Sequence, residues 1–111
     1  MPDARRSHAE ALRRVSLFAD LSEKEMAFLA ARASRRRCRT GETIFSDGEP
    51  CRGLYVVESG AVRVFKTSAG GREQVLAVIG PDNTVGELAV FEGSDYPAAA
   101  ELSPEIGRAH V

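Results

Sequence analysis

Between Gly53 and Gly86 glycines cut this chain into short apolar stretches, a pattern that suits strands joined by tight turns. The stretches are Gly53-Leu54-Tyr55-Val56-Val57-Glu58-Ser59-Gly60, Ala61-Val62-Arg63-Val64-Phe65-Lys66 and Val75-Leu76-Ala77-Val78-Ile79-Gly80. Short runs rich in Val, Ile, Phe and Tyr, bounded by glycine and other turn residues, read as β-strands. They lead into Gly86-Glu87-Leu88-Ala89-Val90-Phe91, where a Gly-Glu turn opens a short helix.

The strands can be read one by one. Leu54–Val57 and Val75–Ile79 carry apolar residues on both alternating faces, which predicts central strands. In the stretch between them Val62 and Val64 share one face, and Arg63 and Phe65 the other. Ser68-Ala69-Gly70-Gly71 reads as a hairpin loop, and Asp47-Gly48-Glu49-Pro50 and Gly80-Pro81-Asp82-Asn83 as turns. Thr43, Ile44 and Phe45 are β-formers after the Gly41 turn. Arg36-Arg37-Cys38-Arg39 is expected to be an exposed strand, and a last strand is expected from Tyr96 to Leu102. Many short strands at regular turn spacing predict a mainly β sandwich or roll.

Two helical pieces come first. Ser7-His8-Ala9-Glu10 and Ser22-Glu23-Lys24-Glu25 both have the capping-box pattern, in which a serine caps the helix start and a glutamate reaches back. Met26, Leu29, Ala30 and Ala33 follow at helical spacing and form one apolar stripe. Leu17, Phe18 and Leu21 are expected to pin the two helices to the core. The reading therefore divides the chain into a helical segment 1–34, a β-roll 35–104 that is incomplete at its C-terminal end, and a tail 105–111. That tail, Glu105-Ile106-Gly107-Arg108-Ala109-His110-Val111, looks like one reading frame of a sequencing adapter and is expected to be non-native.

Composition narrows the function. One small domain is all that 111 residues allow. A net charge of −1 gives no basic field for nucleic acid. No apolar run approaches a membrane span, and the N-terminus lacks the apolar segment of a signal peptide, so a cytoplasmic protein is expected. Cys38 and Cys51 fit no metal-binding spacing. They read as two isolated thiols, with a redox disulfide as the alternative if the fold brings them together. Metal catalysis in a β-roll needs converging histidines and carboxylates. His8 precedes the roll and His110 lies in the tail, so an enzyme is not expected. A carboxylate at Glu87, beside the amides of a helix start, suits a small ligand bearing hydroxyl and phosphate groups.

The combination Leu54-Tyr55-Val56-Val57-x-Ser59-Gly60-x-Val62-x-Val64, a Gly-containing hairpin, and then Gly86-Glu87-Leu88-x-x-Phe91 resembles the cyclic-nucleotide-binding domain. More narrowly, it is similar to the sensory domain of Crp/Fnr-type bacterial transcription regulators, with Leu17–Ser22 and Gly41–Phe45 fitting as well. The likeness covers about residues 10 to 103. It implies a double-stranded β-helix, or jelly roll, with N-terminal helices. It also implies a cassette from Gly86 to Ala98 that cradles a cyclic phosphate. Glu87 falls where the family's glutamate accepts from the ribose 2′-hydroxyl. Gly86, Leu88 and Ala89 fall where backbone groups face the sugar-phosphate. The implied ligand is cAMP or cGMP. The implied mechanism is ligand-driven allosteric control of a DNA-binding domain lying beyond this fragment, in a protein that dimerises.

The cassette departs from the family at its end. Where an Arg and a Ser or Thr would bind phosphate, this chain has Pro97 and Ala98. Each lost hydrogen bond to a charged group is worth about 1.5–3 kcal/mol, so binding should weaken roughly a hundredfold or more. Arg63 or Arg72 compensates only if the roll aims it inward. Tyr96-Pro97-Ala98 resembles family members that sense other signals, and haem is the other ligand class the likeness leaves open. His8 reads as an ordinary surface residue. The resemblance also implies a further strand after the last one here, so the strand from Tyr96 to Leu102 is expected to lack a partner. The alternatives are a regulatory module of a kinase, transporter or other effector, or a degenerate roll without a nucleotide.

Overall fold

A computed structural model describes residues 7–103 of the chain. The N-terminal arginines Arg5 and Arg6, and the tail 105–111 with His110, lie outside the described residues.

Two capped helices open the structure. Helix α1 (His8–Arg13) and helix α2 (Glu23–Arg32) each carry a complete capping box. The Ser7 and Ser22 hydroxyls accept from the Glu10 and Glu25 amides, both at 3.1 Å. Each glutamate accepts in turn from the backbone N–H of its serine, at 2.9 and 2.8 Å. Caps of this kind are worth about 1 kcal/mol apiece and fix where short helices begin. The stripe on α2 faces inward, with Met26 buried and Leu29, Ala30 and Ala33 half-buried. The connection turns through a 3₁₀ segment (Ser16–Phe18). Here the expectation shifts. Leu12 and Val15 are the buried anchors, Phe18 and Leu21 are half-buried, and Leu17 is 46% exposed. The 3₁₀ turn presents Leu17 to solvent. His8 is half-buried, and its Nδ1 lies 3.2 Å from the Ala30 carbonyl, tying α1 to α2.

Among the described residues six strands follow: β1 (Thr43–Phe45), β2 (Tyr55–Val57), β3 (Val62–Thr67), β4 (Glu73–Ile79), β5 (Asn83–Val85) and β6 (Ala99–Leu102), with helix α3 (Glu87–Glu92) between the last two. All pairings are antiparallel, in a four-stranded sheet of order β1-β6-β3-β4 and a two-stranded sheet β2-β5. The β3–β4 hairpin turns at Ser68–Gly71, where the Gly71 amide donates to the Ser68 carbonyl at 2.9 Å. Between the sheets lies a core of Phe45, Val57, Val62, Val85, Ala89, Tyr96 and Ala100. Facing apolar sheet surfaces, with Ala89 of α3 packed into the core, make the expected mainly β roll.

Four strand expectations need correcting. Residues 36–39 form no strand. The Arg36 guanidinium instead donates to the Ile44 and Thr43 carbonyls at 3.1 and 3.2 Å, so a side chain serves the outer edge of β1 where a strand was expected. β2 is not central, since it pairs with β5 alone, and only Val57 of its three residues is fully buried. β4 is likewise an edge strand, with Val75, Leu76 and Val78 each about half exposed. In both strands the two-faced apolar pattern reflects a half-covered edge. The last strand is not unpartnered. It spans Ala99–Leu102 and lies between β1 and β3. Tyr96 precedes it and exchanges backbone bonds with the 47–50 turn, at 2.8 Å (Gly48 N–H to Tyr96 carbonyl) and 3.0 Å (Tyr96 N–H to Glu49 carbonyl).

Candidate functional site

Gly86 is the N-cap of α3 and adopts φ +90°, a left-handed conformation that other L-residues enter only with strain. Space restricts it as well. A Cβ here would sit 3.1 Å from Tyr96 Cε1 and 3.7 Å from the Gly53 carbonyl oxygen. Glycine thus lets the backbone reverse from β5 into α3 while lying directly on an aromatic ring.

Glu87 is the first residue of α3 and is half-buried. Its Oε1 accepts from the Thr84 hydroxyl at 3.0 Å. One carboxylate oxygen is therefore oriented from β5, and an ionised carboxylate retains capacity for further donors. Leu88 is 52% exposed, whereas Ala89 is completely buried and packs into the core. The first-turn amides of a helix have no acceptor within the helix. The Gly86–Ala89 segment thus pairs backbone donors with one held carboxylate, an arrangement that can accept from a hydroxyl and donate to an anion.

The structure separates the two residues at the cassette's end. Pro97 is exposed and Ala98 buried at 5% exposure. Neither offers a polar side-chain atom. The residue that enters the interior is Tyr96, 1% exposed. Its ring stacks on Phe45 at 3.8 Å with an interplanar angle of 10°. Its hydroxyl donates to the Gly53 carbonyl at 2.8 Å and accepts from the Arg52 amide at 3.2 Å. Burial pushes the Tyr96 hydroxyl above the ordinary tyrosine range, and the neighbouring Cys51 adds to this against the opposing bonds from the Arg52 and Gly53 backbone. Reading the sequence alone missed this role. The signal was a single aromatic beside a proline, with no periodicity to mark it as core.

Neither arginine considered as compensation enters the site. Arg63 Nε donates to Glu101 at 3.0 Å, and its guanidinium also pairs with Glu73 at 2.9 Å while lying 4.4 Å over the Phe65 ring. The hydrogen bonds to Glu101 and then Glu73 raise its pKa further. Arg63 and Phe65 do share the face opposite Val62, as the alternation predicts. Arg72 sits at the exposed hairpin loop, its amide bonded to the Ser68 hydroxyl. Cys38 and Cys51 are both free, half-buried thiols.

Comparison with known proteins agrees with this architecture. The family model described as the cyclic nucleotide-binding domain matches residues 35–103. The chain is 30% identical over 97 residues to the CRP-like cAMP-activated global transcriptional regulator of Mycobacterium tuberculosis, covering 87% of this chain and 43% of that protein. It is 36% identical over 84 residues to the cyclic AMP receptor protein of Thermus thermophilus, covering 76% and 39%. It also superposes on the N-terminal domain of a transcriptional regulator from Streptomyces coelicolor. That match has a TM-score of 0.72 and 40% identity and covers 83% of this chain and 64% of the other. The chain thus spans less than half the length of these two curated relatives.

Proposed function

The chain belongs to the cyclic nucleotide-binding domain family, and we propose that it is the effector-sensing domain of a CRP/FNR-type transcription regulator. The observation that carries this reading is the Gly86-Glu87 turn, with its carboxylate held by Thr84, inside a domain whose relatives are regulators of that type. The ligand is a cyclic nucleotide. Glu87 accepts from the ribose hydroxyl, and the backbone from Gly86 to Ala89 lines the sugar-phosphate. Ala98 contributes apolar wall, and Pro97 lies in the bend that leads into β6.

The role is regulatory, with no chemical step. Binding selects one arrangement of α3 and the cassette, and the selected state is passed to a DNA-binding domain elsewhere in the protein. Among the described residues no group of histidine, cysteine and carboxylate side chains is placed to hold a metal. No described helix is long and apolar enough to cross a membrane. A cytoplasmic homodimer contacting DNA through its other domain completes the proposal.

Calorimetric titration of cAMP and cGMP into the full chain, with Glu87→Ala as control, tests it. Micromolar binding that Glu87→Ala abolishes is the expected result. A second reading has its own observation. Tyr96 fills the interior beside Gly86, and Pro97 and Ala98 provide no phosphate ligand. Absence of binding by both nucleotides favours that reading, a roll of the same family that takes another effector or none.

A further inference from the structure

The site described so far lacks a cation to meet a phosphate, and the strand register supplies one. β3 pairs with β6 as Val62↔Leu102, Arg63↔Glu101, Val64↔Ala100 and Phe65↔Ala99. Alternate strand residues face the same side. The β3–β4 pairing shifts register between Val64 and Phe65, but the β3–β6 pairing runs unbroken, so Val62, Val64 and Lys66 fall on one side of that pair, and one further step sets Lys66 beside Ala98. That face is the interior of the roll. Val62 and Ala100 belong to the core, Val64 packs against it, and Ala98 is buried. Arg63 stands on the opposite face, with Phe65 beneath it.

Lys66 is the exposed outer end of that row, at the rim of the roll. Its Nζ donates to the Pro97 carbonyl at 3.0 Å and lies 3.5 Å from Asp47 Oδ2. The Lys66 and Asp47 side chains are 52% and 42% exposed. An ion pair so exposed contributes little, so Asp47 does not hold Lys66 against a ligand that offers a better-placed anion. An ammonium has three donors on a flexible stem. One donor on Pro97 leaves others for an oxyanion at the cassette's end.

We propose that Lys66 is the phosphate-recognising residue of this site, replacing from the neighbouring strand the charge that Pro97 and Ala98 lack. The proposal rests on the cyclic-nucleotide reading above. Its substrate class is the cyclic phosphodiester, recognised by a point charge at the end of β3.

The test compares cAMP with its uncharged nucleoside, adenosine, by titration into the full chain carrying Lys66→Gln or Lys66→Arg. The wild type should bind cAMP more tightly than adenosine. Lys66→Gln should weaken cAMP roughly tenfold or more and leave adenosine unchanged, since only a charge-assisted bond is lost. Lys66→Arg should retain binding within a few-fold. Equal loss for both ligands assigns Lys66 a structural role and overturns the proposal. Wild-type cAMP affinity in Lys66→Gln also overturns it and leaves the nucleotide reading standing. A wild type that binds neither ligand overturns both.

Discussion

The Tyr96 ring lies face to face with Phe45, 3.8 Å between centroids, and its hydroxyl reaches across to the Gly53 carbonyl. One side chain thereby joins β1 to the 51–53 loop and packs against the Gly86 turn. Removing the hydroxyl alone leaves the Gly53 carbonyl and the Arg52 amide without that partner. Tyr96→Phe should destabilise the domain by about 1–2 kcal/mol, and Tyr96→Ala by about 3–5 kcal/mol through the cavity it leaves. Urea unfolding midpoints check both, and an unchanged midpoint in Tyr96→Phe would show that the hydroxyl bonds carry no net stability.

The same hydroxyl sets an alkaline limit. Its pKa is raised in the fold, chiefly by burial, so the folded chain keeps this proton at pH values where the unfolded chain has lost it. The stability this provides is fully present below the ordinary tyrosine range, about pH 10, and is lost as pH rises through the folded value. The wild type should therefore lose stability more steeply than Tyr96→Phe above about pH 10. Parallel slopes for the two proteins would contradict this account.

Gly86 admits no side chain without strain. Gly86→Ala forces an alanine to φ +90° and places a methyl 3.1 Å from the Tyr96 ring. The backbone part alone should cost about 1–2 kcal/mol. The ring must also shift, so near-ultraviolet circular dichroism from Tyr96 should change along with the melting temperature. An alanine variant as stable as the wild type, with an unaltered spectrum, would refute the close packing.

Thr84 orients Glu87 without contributing charge. Thr84→Val keeps the shape and removes the 3.0 Å bond. Nucleotide affinity should fall by a few-fold, less than for Glu87→Ala, because the carboxylate remains but is no longer held, and a neutral hydrogen bond is worth about 1 kcal/mol. Equal losses in the two variants would mean that Glu87 acts only when fixed by Thr84.

Arg63 and Glu101 face each other across β3 and β6 with side chains only 21% and 19% exposed. A double-mutant cycle on Arg63→Met and Glu101→Gln should give a coupling of about 1 kcal/mol, at the upper end for surface pairs because both groups are partly shielded. The pair with Glu73, 47% exposed, should couple more weakly. Coupling near zero for both would reduce the cluster to solvated surface charge.

Much of this architecture was legible in local pattern. Serine and glutamate three residues apart marked both helix starts, and the glycine-rich hairpin and the Gly-Glu turn lie where their backbone requirements put them. Strand order was not legible. β2 and β4 read as central because their residues are apolar on both faces, yet each sits at a sheet edge. Pairing depends on distant segments that periodicity does not encode. The Thr84–Glu87 bond lies within three residues and could have been anticipated. Tyr96 and Lys66 could not, since one is placed by tertiary packing and the other by the register of β3 on β6.

The exposed edge of β4 also bears on how this sequence can change. Val75, Leu76 and Val78 are only half-buried, so threonine in their place removes less of the folding energy than a change in the core would. Foldability therefore constrains them less than it does Ala89 and Ala100, which have no exposed surface and no room to drift. Among natural variants of this domain, β4 should diverge faster than the core wherever solubility alone acts on it. A strand that stays apolar across such variants is being held so by something other than its own fold.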